Sequence, residues 1–296
     1  MTAVINLPPS LDDQSFEQVF DQLEKVPPES RILLDARHTR WASPYGLTAL
    51  LTVAQTRLER PALAVPESDE TSSYWARANF FRHAEALYDM SGKVPRTRQS
   101  AESSVLLEVT PIVNTGDIHT VVENIQQRAR AILQEKLHLE PKVTMRFTMV
   151  LSEMCQNVVE HAGTGGWVAV QSYKWQQRLG GRNVVVIAVC DAGIGFRKSL
   201  ESSPAHRPDD RWGDRMALED TVMRGHTRFK DPGRGQGLLG VKKFVAAWNG
   251  KLSVRSGTAK IGVIPSWNDD EPMHDNLAAF PGAQVQITIP ERLPDA

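Results

Sequence analysis

The stretch Glu153-Met-Cys-Gln-Asn157 places polar side chains within the apolar pattern of a predicted helix. Two glycine-rich stretches follow it, Asp191-Ala-Gly-Ile-Gly195 and Gly233-Arg-Gly-Gln-Gly237. Each stretch alone is weakly informative, because polar helix faces and glycine turns are common in proteins. In this order, with apolar strands and helices between them, they predict one fold with one pocket. A polar helix face, a carboxylate and two glycine loops would meet there.

The predicted helix over residues 143–161 carries an apolar stripe and a separate polar face. Glu153, Asn157 and His161 recur on that polar face at four-residue spacing. For an isolated stretch of this kind, plain solvent exposure is the commoner explanation. The functional interpretation is that Asn157 supplies an oxygen to Mg²⁺, which needs few protein ligands besides phosphate oxygens and water. Glu153 is then placed as a general base, and His161 either contacts phosphate or packs and caps the helix.

The second stretch follows an apolar strand, which predicts that Asp191 lies at the strand end. A tight turn with Asp as turn former would explain the pattern. The same geometry also suits a ligand, because a strand-end carboxylate accepts a hydrogen bond from an exocyclic amine such as that of adenine. Gly193 and Gly195 would let the backbone approach a ring or sugar without a clash from Cβ.

The third stretch leads into a helix predicted over 235–248, which contains Leu238. A flexible loop before an amphipathic helix would explain it. The functional interpretation is that Gly235 and Gly237 expose backbone N–H groups at a helix N-terminus, where phosphates bind. Arg234 would pair with a phosphate or remain solvated. No Lys-Ser/Thr pair follows at the required spacing, so this is not a P-loop.

Bulk properties exclude several classes of protein. The 296 residues have a formal net charge of −1, which gives no electrostatic argument for nucleic acid or an anionic membrane. The longest apolar run, Val184 to Cys190, is too short to span a bilayer, and the N-terminus lacks the layout of a secretion signal. Cys155 and Cys190 form no disulfide framework, so we expect a reduced, cytoplasmic protein.

The fold class predicted from the element pattern is α+β, with a boundary in the polar segment 91–102. Alternating elements before it predict a mainly parallel or mixed sheet with helices. They are strands at 3–7, 31–35 and 62–65, and helices at 15–25, 44–58 and 74–83. After the boundary, helices followed by antiparallel strands predict a two-layer sandwich. The elements of this part are strands at 105–109, 167–175, 184–190, 251–255 and 283–289, and helices at 117–137, 141–161, 217–225 and 235–248. We predict two domains, 1–95 and 96–296.

Taken together, the three stretches resemble the GHKL family, which includes gyrases and histidine kinases, with its Bergerat ATP-binding fold. The matching residues are Glu153 and Asn157 in the N box, Asp191, Gly193 and Gly195 in the G1 box, and Gly233, Gly235 and Gly237 in the G2 box. The resemblance covers about residues 104–290 and implies a two-layer α/β sandwich that binds ATP and Mg²⁺. Within the family, residues 152–161 are most similar to the anti-sigma-factor serine kinases. Residues 196–234 would form the mobile ATP lid.

The first 90 residues or so resemble a STAS domain, the fold of anti-sigma-factor antagonists. Residues 33–51 carry the strand, loop and helix start of that fold. Those antagonists are phosphorylated on a Ser or Thr just before the glycine at the helix start. This chain has Tyr45 at that position, with Pro44 before it and Ser43 displaced. Self-phosphorylation at the usual STAS site is therefore not expected.

The resemblance leaves two functions open. One is a serine/threonine protein kinase of the anti-sigma type in a partner-switching pathway, in which Glu153 activates the acceptor hydroxyl. The other is an ATPase or ATP-gated interaction switch, whose STAS-like domain relays the nucleotide state. The expected partner is a STAS-type antagonist, a sigma factor or another regulator, and kinase-type relatives often form homodimers. We expect no direct contact with nucleic acid or membrane. A histidine kinase is disfavoured, because no dimerisation hairpin joins His83 to the ATP region.

Overall fold

The computed structural model describes residues 2–95, 105–135, 140–203, 212–226 and 236–292. A small parallel sheet with helices forms the first range. Its elements are β1 (Ala3–Asn6), β2 (Ser10–Leu11), α1 (Glu17–Glu24), β3 (Ile32–Asp35), β4 (Trp41–Ala42), α2 (Pro44–Gln55), β5 (Ala62–Ala64), α3 (Asp69–Arg77), α4 (Phe80–Leu87) and β6 (Asp89–Ser91).

The later ranges hold a larger sheet and its helices. The elements are β7 (Val105–Ile112), α5 (Thr115–Glu135), α6 (Pro141–Asn157), β8 (Gly166–Trp175), α7 (Gln176–Leu179), β9 (Arg182–Asp191), α8 (Gly195–Glu201), α9 (Asp214–Leu218), α10 (Gln236–Ala247), β10 (Lys251–Gly257), β11 (Ala259–Val263), β12 (Met273–His274) and β13 (Phe280–Pro290). Turns of π-helix extend α6 over Val158–Ala162 and α9 over Glu219–Arg224.

The first sheet has the order β1-β3-β5-β6, and its described strands pair in parallel. α2 begins as predicted, with Pro44 in its first turn and the Ser43 hydroxyl accepting the Gly46 N–H at 3.2 Å. The prediction of a single helix over 74–83 is wrong. Two helices, α3 and α4, meet at Asn79, whose φ of 64° is left-handed. Asparagine tolerates this conformation better than most residues, so helical periodicity alone could not reveal the break.

The second sheet has the order β12-β11-β10-β13-β9-β8-β7 and is antiparallel throughout its described strands. β8 and β9 form the predicted hairpin, although the short helix α7 lies in the connection before Gly180. Helices α5 and α6 cover one face, where Phe147 and Leu151 pack with Val170 and Ile187 in one core. This arrangement confirms the α+β class. The prediction did not include β11 and β12, and it placed only one helix in 196–233, where α8 also forms.

Helix α2 covers the opposite face of the larger sheet. All its residues from Pro44 to Ala54 are buried. The Thr48 hydroxyl donates to Cys190 Sγ on β9 at 3.2 Å, and the Trp167 indole N–H donates to Gln55 Oε1 at 3.0 Å. Burial on both faces explains why β9 is a continuous apolar run rather than an alternating one. The two predicted domains therefore share a core, and their division near residue 95 stays a prediction.

Buried charges join the N-terminal residues to the edge of the larger sheet. Lys251 Nζ lies 2.8 Å from Asp13 Oδ2 and 3.2 Å from Asp270 Oδ2. Burial alone would raise the pKa of Asp13, but the charges of Lys251 and Lys260 and the hydrogen bond from Lys251 together outweigh it, and the pKa lies below its ordinary value. Arg255 Nε donates to the Glu17 carboxylate at 3.0 Å in the same region. These side chains hold the two parts of the chain in one arrangement.

We expect Lys251→Met to lower the free energy of unfolding by about 3 kcal/mol, because Asp13 and Asp270 would lose their closest buried cation. Urea denaturation at pH 7 measures this loss. Lys243→Met is the matched control, since Lys243 is an exposed lysine on α10. Its expected change is within about 0.5 kcal/mol. Equal stability of the two variants would contradict a structural role for the buried charges.

Within the described ranges, each helix is too short or too polar to cross a bilayer.

Candidate functional site

Helix α6 carries the polar face that the sequence predicts. Asn157 is its last residue, and the helical path continues through one wider turn of π-helix to Ala162. Turns of this kind frequently lie at functional sites. Glu153 is exposed, whereas Asn157 and His161 are half-buried and line a cavity. The helix therefore presents a carboxylate to solvent and an amide to the interior of the site.

Asp191 is the last residue of β9 and is 5% exposed. Its Oδ1 accepts the Gly193 N–H at 2.8 Å and the Ala283 N–H at 3.3 Å. None of the described residues hydrogen-bonds its Oδ2. Burial raises the pKa of Asp191 to about 6, although the two N–H donors act in the opposite direction. At neutral pH the carboxylate is therefore ionised, with one oxygen ready to accept a hydrogen bond from a ligand.

Glycine backbone lies close to both of these side-chain groups. A Cβ on Gly193 would lie 2.3 Å from the Ala162 carbonyl oxygen, at the end of the π-helical turn. Gly195 has a φ of +73°, which side-chain-bearing residues rarely adopt. A Cβ on Gly237 would lie 2.5 Å from Glu153 Oε2. The three stretches that are far apart in sequence therefore meet in one place.

The cavity between them has a volume of about 40 Å³. Its lining is mostly apolar and includes Met154, Phe196, Leu238 and Val285. A space of this size holds only a few water molecules. Apolar walls with a single carboxylate at one end suit the flat faces and the exocyclic amine of adenine.

The side chains around the cavity also decide how a Mg²⁺ ion could be held there. Among the described residues, no group of three or more His, Cys, Asp or Glu side chains is arranged to hold an ion. A Mg²⁺ here would depend on the Asn157 side-chain oxygen, phosphate oxygens and water, which is a coordination that Mg²⁺ accepts. The site therefore fits a metal that arrives with a phosphate ligand.

Most of the predicted site residues lie together. The structure brings together Glu153, Asn157, His161, Asp191, Gly193, Gly195, Gly237 and Leu238. The predicted phosphate contacts Arg234 and Gly235 lie outside the described residues, as does Gly233. His161 Nδ1 lies 3.0 Å from Ser199 Oγ on α8, so its ring packs against the segment that follows the Asp191 turn. The roles assigned to these side chains stay predictions.

The sequence interpretation missed the contribution of β13 and β10. Gly282 has a φ of +77°, and a Cβ there would lie 2.1 Å from the Asp191 carbonyl oxygen. The Ser256 hydroxyl donates to the Gly282 carbonyl at 2.7 Å and accepts the Phe196 N–H at 3.2 Å. The dipeptide Pro281-Gly282 was the available signal, because it marks a turn. These residues hold the backbone around Asp191 in place.

This arrangement of amide, buried carboxylate and glycine backbone suits a purine nucleotide. Residues 142–293 match the model of the family described as histidine kinase-, DNA gyrase B-, and HSP90-like ATPase. The chain belongs to this family of ATP-binding proteins, and the GHKL part of the resemblance is confirmed. No curated protein matches the chain significantly.

Adenosine affinity is expected to fall about tenfold between pH 7.5 and pH 5, because Asp191 has a pKa of about 6 and accepts best when ionised. Adenosine is the appropriate ligand, since it has no phosphates that titrate in this range. Ligand-observed NMR measures the affinity at each pH. An affinity that stays constant across this range would show that the Asp191 carboxylate does not bind the base.

Proposed function

We propose that the chain is a serine/threonine protein kinase of the anti-sigma-factor type, which phosphorylates a separate regulatory protein in a partner-switching pathway. The observation that carries this proposal is the placement of Glu153. Its carboxylate is exposed, one helical turn before Asn157, and next to the Gly237 backbone. A partner hydroxyl can therefore reach it from solvent beside the nucleotide site.

In the proposed reaction, the acceptor oxygen attacks the γ-phosphorus of ATP and its proton passes to Glu153. The bond from the γ-phosphorus to the bridging oxygen breaks, and ADP leaves. Asp191 would hold the adenine amine through its Oδ2, and Asn157 would hold Mg²⁺. The ion supplies charge neutralisation for the phosphates when it is bound. Backbone N–H groups at Gly237 and Leu238 would face the phosphates.

The acceptor is proposed to be in another molecule. Ser43 and Tyr45, the residues nearest to the STAS phosphorylation position, are 1% and 2% exposed. The Ser43 hydroxyl caps α2, and burial raises the pKa of Tyr45 well above its ordinary value. Neither hydroxyl is available to a phosphoryl donor in this arrangement. A STAS-type antagonist, a sigma factor or another cytoplasmic regulator is the proposed partner.

A STAS-like domain at residues 1–95 is part of the same proposal. The parallel sheet β1-β3-β5-β6 and the helix α2 that follows the loop after β3 support it. In the proposed arrangement this domain rests on its own ATP-binding domain, and α2 covers the face of the sheet opposite α6. It would therefore act as a regulatory element within the chain.

The contact between β9 and α2 favours a second candidate, an ATP-gated interaction switch. Cys190 accepts the Thr48 hydrogen bond and directly precedes Asp191. A nucleotide that moves the end of β9 would change this packing, and α2 would carry the change to the N-terminal surface. In this alternative, ATP is bound or hydrolysed and no partner is phosphorylated.

Incubation with γ-labelled ATP, Mg²⁺ and purified STAS-type proteins tests the kinase proposal. We expect label on a partner hydroxyl, and a rate at least about 100-fold lower in Glu153→Ala, since the general base is lost. Glu140→Ala is the matched control, because Glu140 is an exposed carboxylate at the start of the same helix. Its rate should equal that of the unmodified protein. Tight nucleotide binding without phosphoryl transfer or ATP turnover would refute the kinase proposal and favour the ATP-gated switch. Absence of nucleotide binding would refute the assignment of the site.

A further inference from the structure

A second cavity, of about 390 Å³, lies where the loop at residues 12–14 meets the end of β8 and the middle of β13. It shares no lining residue with the nucleotide cavity. Its volume is in the range of small-ligand sites, which occur preferentially between packed units of a chain. Its lining comes from both the N-terminal part and the larger sheet, so a ligand there would touch both.

Two indole rings line this cavity, Trp41 from β4 and Trp175 from the end of β8. Each ring is held by an aromatic neighbour. The centroids of Trp41 and Tyr173 are 5.5 Å apart, and those of Trp175 and Trp267 are 5.8 Å apart. Rings fixed in this way offer flat apolar surfaces at little entropic cost. They suit a planar ring in the ligand.

Two cations of the lining are available for a ligand. Lys174 and Arg178 are exposed, and neither forms an ion pair with any of the described residues. The guanidinium carbon of Arg178 lies 5.9 Å from the centroid of the Trp175 ring, so one positive charge stands beside an aromatic surface. A ligand that carries both a ring and a negative charge matches this pair.

Both carboxylates of the lining already accept hydrogen bonds from protein groups. Asp13 binds Lys251 at 2.8 Å. Asp12 Oδ1 accepts the Ser15 N–H at 2.8 Å and the Gln14 N–H at 3.1 Å. The Asp12 carboxylate has only neutral donors, so its one negative charge stands against the two positive charges of Lys174 and Arg178. The lining therefore keeps one net positive charge, which favours an anion.

A buried acceptor completes the site. Gln286 is 5% exposed, and its Nε2 donates to Asp13 Oδ1 at 2.7 Å. Its Oε1 is buried and has no hydrogen-bond partner among the described residues. Buried acceptors are rarely left without a donor in native proteins, because the loss of hydration is costly. Gln286 lines the cavity, so a small shift of its side chain would let an N–H or O–H group of a ligand supply the missing donor.

We propose that this cavity binds a small planar aromatic anion that carries a hydrogen-bond donor, and that the ligand stabilises the packing of the N-terminal part on the larger sheet. The ring lies against Trp41 and Trp175, and the anionic group lies near Lys174 and Arg178. The donor group bonds to Gln286 Oε1. This binding is independent of phosphoryl transfer, since no residue of the nucleotide site takes part.

Indole-3-acetate is the probe for the test, because it combines a planar ring, a carboxylate and an N–H group. Ligand-observed NMR on the full chain should show one saturable site with a dissociation constant of about 1 mM or tighter. Indole-3-ethanol, the neutral analogue, should bind at least about fivefold more weakly, because it lacks the charge. The double variant Lys174→Met, Arg178→Met should bind indole-3-acetate at least about tenfold more weakly.

Lys142→Met controls for the loss of an exposed lysine elsewhere, and it should bind indole-3-acetate like the unmodified protein. The replaced side chains are exposed, so the thermal midpoints of the variants should agree with that of the unmodified protein. The proposal is overturned by either of two results. One is the absence of saturable binding up to about 10 mM. The other is equal binding by the double variant and the unmodified protein.

Discussion

Replacing Asp191 by asparagine is expected to lower ATP affinity at least about 100-fold at pH 7.5. Asparagine can still accept the Gly193 and Ala283 N–H groups through its one oxygen. Its amide nitrogen would then face the adenine amine, so two donors would meet where a donor and an acceptor met before. Calorimetric titration with ATP and Mg²⁺ measures the loss. An affinity equal to that of the unmodified protein would contradict the assigned role of Asp191.

The same substitution is expected to stabilise the protein without nucleotide. Burial raises the pKa of Asp191 from 3.8 to about 6, so holding the carboxylate ionised at pH 8 costs about 3 kcal/mol. A raised pKa in the folded state means that stability is greatest below pH 3.8 and is lost as the pH rises through about 6. The gain in Asp191→Asn should therefore be near zero at pH 4 and reach its maximum above pH 6. Urea denaturation across this range should show that rise, and a gain independent of pH would contradict it.

Gly193→Ala is expected to lower the free energy of unfolding by about 4 kcal/mol and to abolish nucleotide binding. The added Cβ would lie 2.3 Å from the Ala162 carbonyl oxygen and 2.5 Å from Ala162 Cα. Backbone atoms cannot rotate away as a side chain can. Relief therefore requires a shift of the π-helical turn that follows Asn157, and that shift would distort the site.

Gly237→Ala is the matched control for this substitution. Its Cβ would meet Glu153 Oε2 at 2.5 Å, which is the tip of an exposed, flexible side chain. Rotation of that side chain relieves the contact, and alanine favours the helix that begins there. The stability change should stay within about 1 kcal/mol. Urea denaturation of both variants makes the comparison, and equal stability of the two would contradict the close backbone approach at Gly193.

The sequence predicts the parts of the site that lie within short, ordered stretches. Helical periodicity predicts the position of Asn157 on the polar face of its helix. An apolar strand that ends in a glycine turn predicts the position of Asp191 at the strand end. Gly282 and Ala283 could not be placed in the same way. Their contact with Asp191 depends on the register in which Gln284 pairs with Cys190, 94 positions earlier in the chain. Turn chemistry identifies a bend at Pro281-Gly282 but not what that bend touches.

The packing of α2 on the larger sheet also could not be predicted. The continuous apolar run in β9 indicates burial on both faces, but periodicity does not identify the covering element. The buried position of Lys251 was hidden for a related reason. Lysine is ordinarily exposed, and its burial depends on Asp13, which is 238 residues away in the sequence.

Equilibrium dialysis with labelled ATP and Mg²⁺ at pH 7.5 tests the central claim most directly, because it requires neither catalysis nor a partner. The site built from Asn157, Asp191 and Gly237 predicts about one ATP bound per chain. It also predicts displacement by unlabelled ADP and strongly reduced binding in Asp191→Asn. Absence of saturable binding, or undiminished binding in that variant, would contradict the assignment of this site.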